Sequence, residues 1–449
     1  MKKITIKYYF LVGLLALQVT ACQDQLELQP SQSVSEDLAL NSDKNVKAVL
    51  IGAYDELGVD DVFGGNTLRN SELLGGDGEL RWVGTFNGPR EIFNKGITTG
   101  NDDVAEVWLE SYETINITNN VLSALEIVNE DDRATVQGEA LFIRSLLYFE
   151  LVRFYAKPYE AGQANTQPGV PLVLAPTRGI SDENKIARST VDEVYNQIIG
   201  DLSKAESDLP EDNEWRASAG AAAALLARVY LQKGDYAAAR DAANRVIESG
   251  NYSLLANYKD VFGRDENSSE DIFAIQITTQ DGVNSMTTFF SIQGFGGRDG
   301  DIEILPGHLN LYNAADKRLA LFFEANGDVT YSGKWNNQFG NISLIRLAEM
   351  YLIRAEANFR LGTTVGATPL ADYNKVHTRA GLPAATSITL AEILLERRRE
   401  LAQEGFKIHD VKRLKQNVGN FTYDANKLVF PIPSREIEAN PNLTQNAGY

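Results

Sequence analysis

Residues 218–250 read SAGAAAALLARVYLQKGDYAAARDAANRVIESG. Two helical runs flank the breaker Gly234-Asp235-Tyr236. Ala224 and Ala227 on the first run, and Ala238, Ala239, Ala242 and Ala243 on the second, keep side chains short, so the two helices can approach closely. Tyr236, just after the turn, is placed to wedge into a following pair. A unit of this kind cannot bury its own apolar face, so it predicts neighbours of the same kind stacked on it.

The unit resembles a tetratricopeptide repeat, whose period is ~34 residues. LAEMYLIRAEA at 347–357, followed by Leu361-Gly362, predicts a second unit, with its partner helix near Pro369 to Thr378. Upstream, Trp108, Tyr112, Ile115, Asn119 and Leu122 recur at spacings of three and four, one face of a helix. Val136, Ala140, Ile143, Leu147, Leu151 and Phe154 do the same until Lys157-Pro158 ends the run. Ser189 or Thr190, with Glu193 near the capping-box position, opens a further helix that stops at Pro210. The earliest periodicity begins near Lys44 and runs through Val49 and Tyr54. The expected fold is mainly α: a superhelix of helix pairs.

Two segments interrupt it. Residues 58–104 are glycine-rich and carry Asp77, Arg81, Trp82, Phe86 and Asn87. Residues 263–341 carry Phe289, Phe290, Phe295, Tyr312, Tyr331 and Trp335, with Gly294, Gly296, Gly297 and Gly300 marking loops. Within them FFEANGDVTY places Asn326-Gly327 between apolar stretches, a hairpin signal. Long irregular insertions on a regular scaffold are commonly functional. The expected organisation is a leader at 1–21, a tether at 22–40, a first part at 41–262 containing the 58–104 insertion, and a second part at 263–449 containing the 263–341 insertion.

The leader reads as a secretion signal. Lys2, Lys3 and Lys7 precede a short apolar run from Tyr8 to Leu17, below the ~20 residues that span a bilayer. Val19-Thr20-Ala21 then precedes Cys22, the only cysteine of the chain. A cysteine at that point resembles a bacterial lipobox, in which the thiol is acylated and becomes the new N-terminus. The rival reading is an ordinary secretion signal with an incidental cysteine. With Cys22 acylated no intrachain disulfide can form.

The formal net charge is −19, and loss of Lys2, Lys3 and Lys7 makes the mature chain −22. So acidic a chain repels phosphate backbones and anionic lipid surfaces, which excludes nucleic-acid binding and a polybasic membrane contact. The three histidines, His308, His377 and His409, lack metal-ligand spacing, and no metal or cofactor is expected. GFGGRDG at 294–300 lacks the strand-to-helix context of a phosphate loop. Glu392, Glu396, Glu400 and Glu404 fall on one helical face, where four like charges repel. With Arg397, Arg398 and Arg399 beside them, and Arg346 and Arg354 elsewhere, they predict an ion-pair network; a cation site is the alternative. A tryptophan in a polar loop suggests a contact surface, because an indole plane matches the flat C–H face of a sugar ring. Loop packing is the competing role for Trp82 and Trp335.

Larger motifs carry a family resemblance. They are GEALFIRSLLYFELVRFYAKPY at 138–159, Gly169-Val170-Pro171-Leu172, IRLAEMYLIRAEANFRLG at 345–362, YNKVHTRAGLP at 373–383, ILLERRRELAQEGFKIHDVKR at 393–413 and FPIPSREIEANPNLTQNAGY at 430–449. Together they resemble the SusD/RagB family of glycan-binding surface lipoproteins of Bacteroidetes. His377, and Lys407-Ile408, depart from the family's usual residues at scaffold positions.

The resemblance implies four tetratricopeptide-like helix pairs in a right-handed superhelix, with the two irregular blocks folded over one side to hold ligand. It implies no catalysis and no cofactor. It implies a lid over a TonB-dependent, SusC-like transporter at the outer-membrane surface, held by lipid on Cys22; Asp24 and Glu27 resemble an export signal. It places Trp82 and Trp335 as binding aromatics, and more weakly Tyr331, Asn336, Asp77, Arg81 and Phe295. With no basic cluster near the tryptophans, a neutral oligosaccharide or polysaccharide is expected, a β-glucan such as laminarin among them. An oligopeptide-binding lid of the same fold, a surface glycoside hydrolase and a lid without its own ligand are the alternatives.

Overall fold

A computed structural model describes residues 39–449 apart from 180 and 281. The leader, Cys22 and nearly all of the tether lie outside the described residues. Among the described residues the chain is mainly helical, with fifteen α-helices and three two-stranded antiparallel ladders.

The scaffold is a train of helices, each packed on the one before: α1 (Asp43–Leu57), α4 (Asp102–Ser123), α5 (Glu130–Tyr155), α6 (Val191–Asp208), α7 (Ala219–Lys233), α8 (Tyr236–Ser249), α11 (Leu347–Leu361) and α12 (Pro369–Arg379). The 218–250 unit is a helix pair, α7 and α8. Gly234 at φ +75° closes α7, its N–H returning to Leu231 and Tyr230, and the Asp235 side chain accepts from Ala238 to open α8. Only a residue tolerant of left-handed backbone fits between helices joined so tightly. Ala224, Ala227, Ala239, Ala242 and Ala243 are all buried. Thr190 is the N-cap of α6, with a full capping box to Glu193. The C-terminal half of α5 is buried on every side, and the tail returns to it, Phe430 stacking on Phe154 at 4.7 Å.

The 58–104 block is less irregular than its composition suggests. It holds α2 (Asn66–Gly75), β1 (Leu80–Trp82) and α3 (Asn87–Asn94). Every residue of α2 is buried, so it has no polar face and no amphipathic period to read. In the 263–341 block, β2 (Asp271–Ile275) pairs with β6 (Ile342–Arg346), which runs directly into α11. The block also holds α9 (Ser285–Phe290), β3 (Ile302–Ile304) and α10 (Pro306–Leu309). β4 (Phe322–Ala325) and β5 (Val329–Ser332) form the hairpin around Asn326-Gly327, where Asn326, Gly327 and Asp328 all take positive φ.

The glutamate series is an ion-pair network. α13 (Leu390–Glu400) begins with a Thr389/Glu392 capping box, so Glu392 serves its own helix. Glu396, Glu400 and Glu404 are buried instead. Arg346, at the start of α11, donates to Glu404 at 2.8 Å, to Glu270 at 2.7 Å and to Glu400 at 3.0 Å. Arg379 joins Glu270 and Glu400, Arg318 reaches Glu396 at 2.8 Å, and Lys334 reaches Glu404 at 2.6 Å. Arg354 lies outside it, on Asp372 and Asn244. The network ties the second block to α11, α12 and α13.

Candidate functional site

The two loop-rich blocks meet in a single ladder. β1 pairs with β3 in the register Leu80↔Ile304, Arg81↔Glu303, Trp82↔Ile302, extended by Val83 N–H to Asp301 at 2.9 Å. Alternation along β1 sends Leu80 and Trp82 inward and Arg81 outward, where it pairs with Glu303.

Beyond β1 the chain emerges as Val83-Gly84-Thr85-Phe86. Gly84 is pressed against the Trp82 ring and Asp301, and an added Cβ would sit 2.5 Å from the indole. Phe86 is 46% exposed and stands edge-on to Phe289 at 6.0 Å. The Arg298 guanidinium lies 4.2 Å over the Phe86 ring and donates to Thr85 Oγ at 3.1 Å. Arg298 also faces Asp301 at 3.3 Å, whose carboxyl is pushed up by burial and held back by that cation. Arg298 sits in the GFGGRDG loop, closed by an Ile292–Asp299 bridge. The same loop presents Phe295, 43% exposed, edge-on to Phe323 at 5.5 Å. Phe323 leans on Tyr331, whose ring fills the space beside Gly300. The outcome is a face with two exposed phenylalanine rings, bordered by arginines that are each paired to a carboxylate.

Expected site residues divide accordingly. Arg81 and Phe295 are exposed on this face, and Tyr331 is buried beneath it. Trp82 and Trp335 do not offer open rings. Trp82 is 6% exposed and packs on Phe289 at 5.9 Å; Trp335 is 5% exposed and donates its indole N–H to the Gln403 carbonyl at 3.1 Å. The exposed-platform expectation for both tryptophans is corrected: strand alternation turns one inward, and a 3₁₀ turn at Gly333–Trp335 plants the other in the core. Asn336 accepts from Ser291 Oγ at 2.6 Å, a loop-fastening bond. Asp77 is exposed but pairs with Lys95, away from the phenylalanines. The expectation missed the pairing of Phe86 with Arg298. The alternation in Leu80-Arg81-Trp82 was the available signal, since an inward Leu80 places Trp82 inward as well. Trp82→Ala is therefore expected to behave as a core truncation costing ~3–5 kcal/mol, read as a lowered thermal midpoint.

Matches to known proteins fall along nearly the whole chain. Residues 24–231 match a family model described as "Starch-binding associating with outer membrane", and residues 319–429 match the model of the SusD family. The chain belongs to the SusD family. Among its SusD relatives, SusD-like protein P2 of Formosa agariphila is 26% identical over 99% of this chain and 100% of its own length. The starch-binding protein SusD of Bacteroides thetaiotaomicron is 25% identical over 74% of this chain and 76% of its own. A crystal structure of a SusD superfamily protein from Bacteroides thetaiotaomicron superposes with a TM-score of 0.79 at 26% identity, covering 90% of this chain and 99% of that one. A structure described as a laminarin-binding SusD-like protein shares the fold, with a TM-score of 0.78 at 24% identity over 91% of this chain and 100% of that one.

Proposed function

We propose that this SusD-family chain is a non-catalytic glycan-binding protein of the cell surface, held by lipid on Cys22, that delivers neutral oligosaccharide or polysaccharide to a TonB-dependent, SusC-like transporter. The observation that carries the binding face is the exposed Phe86 ring backed by Arg298, beside Phe295 on the same loop as that arginine. Sugar C–H faces stack on such rings, and neighbouring polar side chains orient the hydroxyls. Phe86 and Phe295 would stack, Arg81 and Thr85 would take hydroxyls, and Trp82, Tyr331, Trp335 and Asn336 would hold the loops in place.

Charge favours a neutral ligand. Arg81 is matched by Glu303 and Arg298 by Asp301, so neither presents an uncompensated cation to a polyanion. A glucan fits this description, and the proteins described as starch-binding and laminarin-binding are the relatives that support it. Glu303 and Asp301 are engaged in ion pairs and Asp299 accepts from the Gln293 amide, which suits recognition rather than acid–base chemistry.

Affinity electrophoresis in laminarin and in starch tests the assignment. Phe86→Ala and Phe295→Ala are each expected to weaken binding ~10-fold, and the double variant ~100-fold, for about 1.4 kcal/mol per ring. Phe359→Ala, an exposed phenylalanine on α11, serves as the control and should leave mobility unchanged. Retained binding by the double variant would remove this face from the mechanism.

A further inference from the structure

A second concavity lies behind β1, away from the phenylalanine face. It has a volume of about 240 Å³ and is formed by the end of α2, Glu79-Leu80, α13, and α14 (Lys407–Arg413). Its apolar wall includes Leu80, Leu394, Leu395, Leu401, Val411 and Leu414. Such a space equals the liquid volume of about eight waters, so it suits a body of roughly eight to ten heavy atoms.

Its polar wall is unbalanced. Arg398 and Lys407 share the single carboxylate of Glu79, which also meets His308 at 3.1 Å. One cation is therefore in surplus at that end. Arg397 adds a spare donor: it is 3% exposed, its Nε donates to Asp410 at 2.9 Å and its Nη2 to Glu349 at 3.2 Å, but its Nη1 has no hydrogen-bond partner. The Nε of Arg398 is buried and unpartnered too. Buried donors without acceptors cost stability, and a bound anion relieves that cost. Glu72 lies at the N-terminal end of α14, accepting from the Gly405 N–H at 3.0 Å and the Phe406 N–H at 3.1 Å; it faces Lys407, but burial pushes its carboxyl up to about 7, so it offsets that ammonium only in part.

We propose that this pocket binds a small organic carboxylate with an apolar body, its carboxylate taken by the surplus Arg398/Lys407 charge and the spare Arg397 donor, its body held among the leucines. An apolar wall with a few convergent polar groups is the general form of a small-molecule site. The site is separate from the glycan face and does not depend on the reading of that face.

Calorimetry of the purified chain with octanoate tests this. Binding with a Kd of ~0.1–1 mM is expected, with 1-octanol at least ~10-fold weaker because it lacks the charge. Leu395→Trp fills the apolar wall and is expected to abolish binding. Arg398→Met leaves Lys407 matched one-to-one with Glu79 and is expected to weaken octanoate ~10-fold while leaving 1-octanol unchanged. Circular dichroism is the check on folding, which both variants are expected to pass because Leu395 and Arg398 are only partly buried. No heat of octanoate binding up to ~5 mM would overturn the proposal, as would undiminished binding by folded Leu395→Trp. Equal affinity for octanol and octanoate would overturn the assigned role of the cations.

Discussion

Arg346→Met is expected to lower the thermal midpoint by about 4–6 °C, a loss of ~3–5 kcal/mol set against an unfolding entropy of ~2 cal/mol/K per residue. Arg346 is fully buried and contacts Glu270, Glu400 and Glu404 together. Removing it leaves three buried carboxylates with only Arg379, Arg318 and Lys334 between them. Breaking a buried pair by deleting one partner costs ~3–5 kcal/mol, because the partner's charge stays buried without compensation. Arg346→Lys should recover only part of that loss, since an ammonium is a point charge and cannot bond three carboxylates from the edges of a planar fork. Differential scanning calorimetry of both variants decides the matter. A Met variant within ~1 °C of the parent would mean that the network orients helices without stabilising them.

Acid is expected to unfold the protein steeply below about pH 4, after a region of flat or slightly rising stability between pH ~7.5 and ~5. Burial acts to raise Glu400, but Arg379, Arg346 and Arg318 overcome it and hold its carboxyl at about 2. Glu79, with His308, Lys407 and Arg398, and Asp410, between Arg397 and Arg413, are likewise held at about 2 against burial. A depressed folded-state value gives stability that is complete above the unfolded value and is lost as pH falls toward the folded one. For Glu400 the displacement from 4.5 to about 2 corresponds to ~3 kcal/mol.

Glu72 acts in the opposite direction. Burial pushes its carboxyl up to about 7, so its ionisation opposes folding above that pH and the cost fades as pH drops toward 4.5. Asp61, raised by burial and by Glu106, Asp60 and Asp103, adds to the same trend. Burial holds the His409 imidazole well below its usual value, so acidification through 6.5 costs stability, and Glu72→Gln should turn the flat region between pH ~7.5 and ~5 into a gentle fall while leaving the acid collapse in place. A midpoint insensitive to pH down to ~2.5 would contradict the assigned role of Glu400, Glu79 and Asp410.

The scaffold was legible because its signals are local. The turn at Gly234, the alanine faces of α7 and α8, the Thr190/Glu193 cap and the Asn326-Gly327 hairpin each lie within a few consecutive residues. The glutamates at spacings of four also pointed to the network: Glu396, Glu400 and Glu404 draw cations from elsewhere, while Glu392 is taken by its own helix cap. The binding face was less legible. Whether a loop aromatic is open or buried depends on what packs over it, and that comes from a distant part of the chain: Phe289 and Ile302 over Trp82, Gln403 beside Trp335. The alternation in Leu80-Arg81-Trp82 hinted at it, but a strand of three residues carries that signal weakly. α2, buried all round, offered no helical period at all. Phe86 acquired its role from Arg298, a partner that no spacing rule connects to it.

The β1–β3 ladder also has a bearing on when the protein can work. Trp82 and Ile302 lie nearly half the chain apart, and contacts of such separation form late because the intervening chain must first be ordered. The N-terminal block cannot complete its share of the face until the second block has been synthesised and folded against it. A chain not yet folded, or one cut short, would carry Phe86 on an unsupported loop. On the proposed function, ligand competence would arrive only with the finished molecule, and folding itself would set the time at which capture of glycan begins.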